Sequence, residues 1–135
     1  MTTLTRFLFQ QVDAPPSFWS VINWWESRRA VYNLSLGVVG VISLSAVALV
    51  AHLPPRPVPF TIPWVAVALY AVSANLCYTI GPALDLAIRR RWGNQYAAIG
   101  PTLFRYGFVF ALGLTFLPVP LVILGWLLRA IGLAG

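Results

Sequence analysis

From Val31 to Ala51 the chain runs without a single charged residue. As a helix this run is long enough to cross a hydrocarbon core of about 30 Å. Two more apolar runs follow, Trp64 to Leu86 and Leu103 to Leu133, separated from the first and from each other by proline- and arginine-bearing connections. Three such runs in 135 residues leave room for little else. The sequence therefore predicts an all-α membrane protein with three transmembrane helices.

Composition supports this. Charged residues make up 9% of the chain, whereas hydrophobic residues make up 59%. A soluble domain needs about a quarter of its residues charged to cover its surface, so much of this surface must face lipid or other proteins. The net charge of +6 is nine arginines and no lysine set against three acids. These arginines flank apolar runs instead of forming a solvated stripe, which points to anionic phospholipids and argues against nucleic acid. Cys77 is the sole cysteine, so no intrachain disulfide can form. The N-terminus carries no apolar stretch of the kind that precedes a cleavage site, so the first span is expected to be retained.

Residues 1–16 are mixed in character and end at Asp13 and Pro15-Pro16; Ser17 is a good N-cap for the segment after them. Phe18, Val21, Ile22 and Trp25 recur at helical spacing and lead into Glu26, Arg28 and Arg29, which reads as an amphipathic helix lying in the membrane interface. In that reading Trp19, Trp24 and Trp25 anchor the interface, Arg28 and Arg29 hold the end of the first span, and Tyr32 sits just inside. The expected division is an N-terminal segment, 1–30, and a transmembrane domain, 31–135, with spans at about 31–51, 64–86 and 103–133. WWESRR followed by Tyr32 and Asn33 resembles small uncharacterised bacterial inner-membrane proteins, and the resemblance implies the three-span topology and no function.

Pro54-Pro55-Arg56-Pro57-Val58-Pro59 cannot be helical and reads as a stiff extended connection. Pro63 suits the start of the second span, Gly81-Pro82 could kink it, and Arg89-Arg90-Arg91-Trp92-Gly93-Asn94 ends it, with Arg89, Arg90 and Arg91 expected to anchor that end at the membrane interface. The third run is too short for two full spans, which need about 40 residues. One helix kinked at Pro118 and Pro120 is expected, with a re-entrant hairpin at the same prolines as the alternative. Seven arginines (6, 28, 29, 89, 90, 91 and 105) then share a side against two (56 and 129), which places the N-terminus in the cytoplasm of a bacterial inner membrane and the C-terminus in the periplasm.

The chemistry of a site is thin. His52 is the only histidine and a candidate axial ligand at the far end of the first span. Motifs for phosphate loops, zinc proteases or paired cysteines are missing from the sequence. Glu26 and Asp85 fall at the depth of the arginines and read as an ion-pair girdle; Asp85 stands four residues before Arg89, the favourable order on a helix. Asn75, Tyr78 and Thr79 share a helix face and suit interhelical hydrogen bonds. Gly37 and Gly40, with Gly107 and Gly113, suit close helix approach. Asn33-Leu34-Ser35 matches a glycosylation acceptor but falls on the cytoplasmic side.

These readings favour a non-enzymatic accessory subunit of a larger bacterial energy-transducing complex, photosynthetic (reaction centre or antenna) or respiratory. Its partners would be other membrane subunits and anionic phospholipids. It would need no cofactor of its own, while contacting lipid, quinone, carotenoid or chlorophyll-type pigment. A small homo-oligomeric transporter or channel is the alternative.

Overall fold

The computed structural model describes residues 2–12, 17–93 and 98–133. Asp13, Pro15, Pro16 and Asn94, invoked above as segment ends, lie outside the described residues. Five helices follow in order: α1 (Thr3–Phe9), α2 (Phe18–Ala51), α3 (Trp64–Trp92), α4 (Ile99–Phe116) and α5 (Pro118–Ala130). Three helical stretches, Phe18–Ala51, Trp64–Trp92 and the α4–α5 stretch Ile99–Ala130, are long and apolar enough to cross a membrane. The chain is an all-helical, multi-pass membrane protein.

The interfacial helix expected before the first span is not a separate element. Residues 18–30 continue into the span as one helix of 34 residues, so the division at residue 30 falls inside α2. No glycine or proline lies between Phe18 and Leu36 to stop it. The Ser17 hydroxyl caps it, accepting from the Ser20 N–H at 3.1 Å. At 1.5 Å per residue α2 is ~51 Å long, so one end must stand clear of a hydrocarbon core of about 30 Å. α3 carries Pro82 in its interior and stops at Gly93, whose φ of 71° suits a residue without a Cβ.

The last span bends without reversing. Pro118 and Pro120 bring no N–H to the helix, which interrupts the bonding ladder. Leu117 nevertheless keeps helical dihedrals, and its N–H reaches the Gly113 carbonyl at 3.0 Å. The contacts fix the direction: Phe104 meets Trp24 and Trp25, Gly40 faces Thr115, and the Trp126 N–H donates to the Pro54 carbonyl at 2.8 Å. α4 and α5 therefore run parallel to α2 along its whole length. This is a kinked span, and the hairpin alternative is excluded. α3 packs antiparallel against α2 and α4, Asp85 meeting Trp25 and Ala74 meeting Tyr32.

Candidate functional site

The buried polar groups gather at one end of the bundle, where α1, the start of α2, the end of α3 and the start of α4 meet. Asp85 is fully buried there. One carboxylate oxygen accepts from the Trp25 indole N–H at 3.0 Å and the other from the Arg89 guanidinium at 2.6 Å. The i, i+4 pair read from the sequence is thus present, with an indole from another helix added. Gly100 makes room for it on α4: a Cβ at that position would sit 2.7 Å from the Asp85 carboxylate. Gly81 does the same for the indole, since its Cβ would sit 2.5 Å from the Trp25 ring.

Aromatic rings fill the space beneath. Phe104 packs edge-on against Trp24, Trp25 and Tyr78 and stacks on Phe108 at 5.4 Å. The Tyr78 hydroxyl donates to the Trp25 carbonyl at 2.5 Å, and the Tyr32 hydroxyl to the Ala74 carbonyl at 3.2 Å. Each hydroxyl therefore joins α2 to α3 by a backbone acceptor, which fixes helix height as well as contact.

Arg28 does the equivalent for α1. It is 4% exposed and donates to the carbonyls of Leu8, Phe7 and Trp24 and to the Ser27 hydroxyl. Its guanidinium also lies 3.8 Å from the centre of a Trp24 ring and 4.5 Å from that of Phe7. The Trp24 N–H completes the dock by donating to the Gln10 carbonyl at 2.8 Å.

Several expectations change here. Trp24, Trp25 and Tyr32 are core residues and not lipid-facing anchors, because each finds its polar partner inside the protein. Arg28 is buried under α1 instead of reaching the headgroups. Trp19 is exposed beside Phe18, as an anchor requires, and Trp64 and Trp92 are exposed as well. Arg29 pairs with Glu26 at 2.7 Å, so the girdle of acids and arginines exists as two separate pairs. Arg90 and Arg91 are exposed.

The glycine expectation also moves. Nothing comes within 4 Å of a Cβ built on Gly37, Gly107 or Gly113, and Gly40 meets only the Thr115 methyl at 3.8 Å. The close approaches are at Gly81 and Gly100. Both stand before a buried proline, Pro82 and Pro101, and that repeated Gly-Pro pair at matched depth is the signal that could have found them.

The polar face of α3 divides in the structure. Tyr78 turns inward. Asn75 turns outward and forms a reciprocal amide pair with Asn33, at 3.0 and 3.2 Å, while Thr79 donates to the Asn75 carbonyl. His52 lies exposed at the end of α2 with Nδ1 held 2.7 Å from the Ala48 carbonyl. Among the described residues no three His, Cys, Asp or Glu side chains converge as metal ligands.

One further feature separates α3 from its neighbours. Its most apolar stretch has a mean hydropathy of 1.4, against 2.4 and 2.3 for the other two spans, and only 6% of that stretch is buried, against 22% and 17%. The least apolar span is the most exposed one. No protein-family model, no curated protein and no solved structure matches this chain.

Proposed function

We propose that this chain is a structural accessory subunit of a larger membrane complex, with bacterial energy-transducing complexes, photosynthetic or respiratory, the first class to search. The observation that carries this is the inverted polarity of α3. A helix facing lipid on most sides should be the most apolar in its bundle, because unpaired polar groups are costly in hydrocarbon. Here Asn75, Thr79 and the Asn33 amide stand on the outer flank of the least apolar span. Their present hydrogen bonds stay within the chain, to one another, the carbonyls of Ala71 and Asn75, and Arg29; a neighbouring protein helix with polar side chains would add bonds to their remaining capacity, each worth ~0.6 kcal/mol or more.

The reading gives the chain no catalytic role. Asp85, Arg89, Arg28 and Tyr78 hold helices together, and their polar atoms are engaged in doing so. A conduction path along Asn75, Tyr78 and Thr79 finds less support, since Tyr78 points away from the other two and donates to the Trp25 carbonyl. In the proposed orientation the arginine-rich end, with Arg28, Arg29, Arg89, Arg90 and Arg91, lies on the cytoplasmic side.

The test is mild extraction from native membranes followed by purification through a tag on this chain. The reading expects defined partner subunits in fixed ratio, lost in an Asn75→Leu variant that still folds. Recovery of the chain only as a free monomer would overturn it.

A further inference from the structure

The arginine-rich end of the α2–α3 pair rises clear of the bilayer. As helix, the charge-free run from Val31 to Ala51 is ~30 Å long and takes up the whole hydrocarbon core. Arg29 marks its edge on α2, and Arg105 marks it on α4, exposed one residue after the Phe104 ring that packs on Trp25. Yet α2 begins at Phe18, and the helix from there to Val31 rises ~20 Å. A tilt of about 20° shortens that rise by only about 1 Å. The headgroup layer is about 5–8 Å deep on each side. Phe18 and Trp19 therefore stand ~10 Å above the headgroups. α3 reaches the same height, because Asp85 meets Trp25 and the helix continues to Trp92, ~10 Å further out.

This tip is both aromatic and cationic. Phe18, Trp19 and Trp92 are each more than half exposed. Phe18 and Trp19 pack edge to face, their ring centres 5.2 Å apart, and present one ridge. The exposure of Trp19 meets one requirement of an interfacial anchor, but its height does not meet the other. Arg90 and Arg91 are exposed beside Trp92, and the Arg91 guanidinium lies 6.0 Å from the centre of the Trp92 ring. Among the described residues the acids are Glu26, paired with Arg29, and Asp85, fully buried. Neither offsets the charge of the tip.

We infer that this tip docks an acidic surface of a protein outside the membrane. Exposed Trp and Arg together are the residue types that dominate binding energy at protein interfaces. Height decides against lipid as the occupant. Like charge decides against a second copy, which would bring its own Arg90 and Arg91 to the same level of the same membrane. The inference rests on the tip alone and holds whatever covers the flank of α3.

A spin label tests the height and a photocrosslinker tests the partner. Full-length Cys77→Ser protein carrying Trp19→Cys is labelled with a nitroxide in vesicles of phosphatidylethanolamine and phosphatidylglycerol. A water-soluble nickel chelate should relax this label more strongly than oxygen does, with the reverse order for a label at Val41→Cys, exposed within the span. In native membranes, p-benzoylphenylalanine then replaces Trp19. Irradiation should give one adduct of constant mass with an acidic protein, and a carbonate wash beforehand should remove it. Reversing both charges, Arg90→Glu with Arg91→Glu, should lower the adduct yield by about tenfold or more while near-ultraviolet circular dichroism stays unchanged. Stronger relaxation by oxygen at position 19 would overturn the assignment. So would lipid adducts, an adduct with a second copy, a partner that resists carbonate, a yield that survives the charge reversal, or no adduct.

Discussion

The junction around Asp85 and the outer flank of α3 use similar residue types to opposite ends. At the junction Asp85, Arg89, Trp25, Tyr78 and Arg28 are buried and their hydrogen bonds close on one another and on nearby backbone carbonyls. On the flank, six and ten residues before Asp85 on the same helix, Thr79 and Asn75 bond to Asn33, to Arg29 and to carbonyls of their own helix. The junction is complete within the chain. The flank keeps Thr79 exposed and Asn75 half-buried on the outer side of the bundle, where the proposed reading puts a neighbouring protein.

The comparison breaks most sharply at Asp85. Asp85→Leu removes the carboxylate that the Trp25 N–H and the Arg89 guanidinium share, and breaking a buried pair by removing one partner costs about 3–5 kcal/mol. The expected outcome is a large shift in unfolding by sodium dodecyl sulfate in mixed micelles, followed by tryptophan fluorescence. Arg28→Met acts more locally. It removes charged donors to the carbonyls of Leu8, Phe7 and Trp24, worth about 1.5–3 kcal/mol to the docking of α1. Hydrogen exchange should accelerate over residues 3–9, while α3 and the end of α2 keep their protection.

The glycines sharpen the same contrast. Gly81→Ala and Gly100→Ala each push a Cβ against a junction side chain and should cost about 1–3 kcal/mol in the same titration. Gly37→Ala and Gly113→Ala meet open space and should be neutral or slightly stabilising, because alanine is the better helix former. Asn75→Leu, on the flank, should destabilise the isolated chain far less than any of the junction changes, by ~0.6 kcal/mol.

The sequence carried the coarse architecture because length and hydropathy decide it. Three runs able to span, and a bend where Pro118 and Pro120 remove donors, follow from residue type alone. The pairing of Asp85 with Arg89 was legible for the same reason, since it needs only helical spacing. What stayed hidden was facing. α2 is apolar nearly all round, so periodicity does not mark the side that meets α3 and α4. Trp24, Trp25 and Tyr32 were thus read as facing lipid when they form the core. The role of Arg28 depends on α1, a seven-residue helix with no strong pattern of its own, returning to cover it. Gly81 and Gly100 matter only because an indole and a carboxylate arrive opposite them from other helices.

The central claim is that the α3 flank is a protein contact, and one measurement reaches it most directly. A photoreactive residue is placed at Leu76, exposed beside Asn75 and Thr79, and in a second variant at Val41, exposed on α2. Both are irradiated in native membranes. The account expects position 76 to give one discrete crosslinked protein band of constant identity, reduced when Asn75→Leu is added, and position 41 to give chiefly lipid adducts. Lipid adducts alone at position 76, equal to those at position 41, would contradict it.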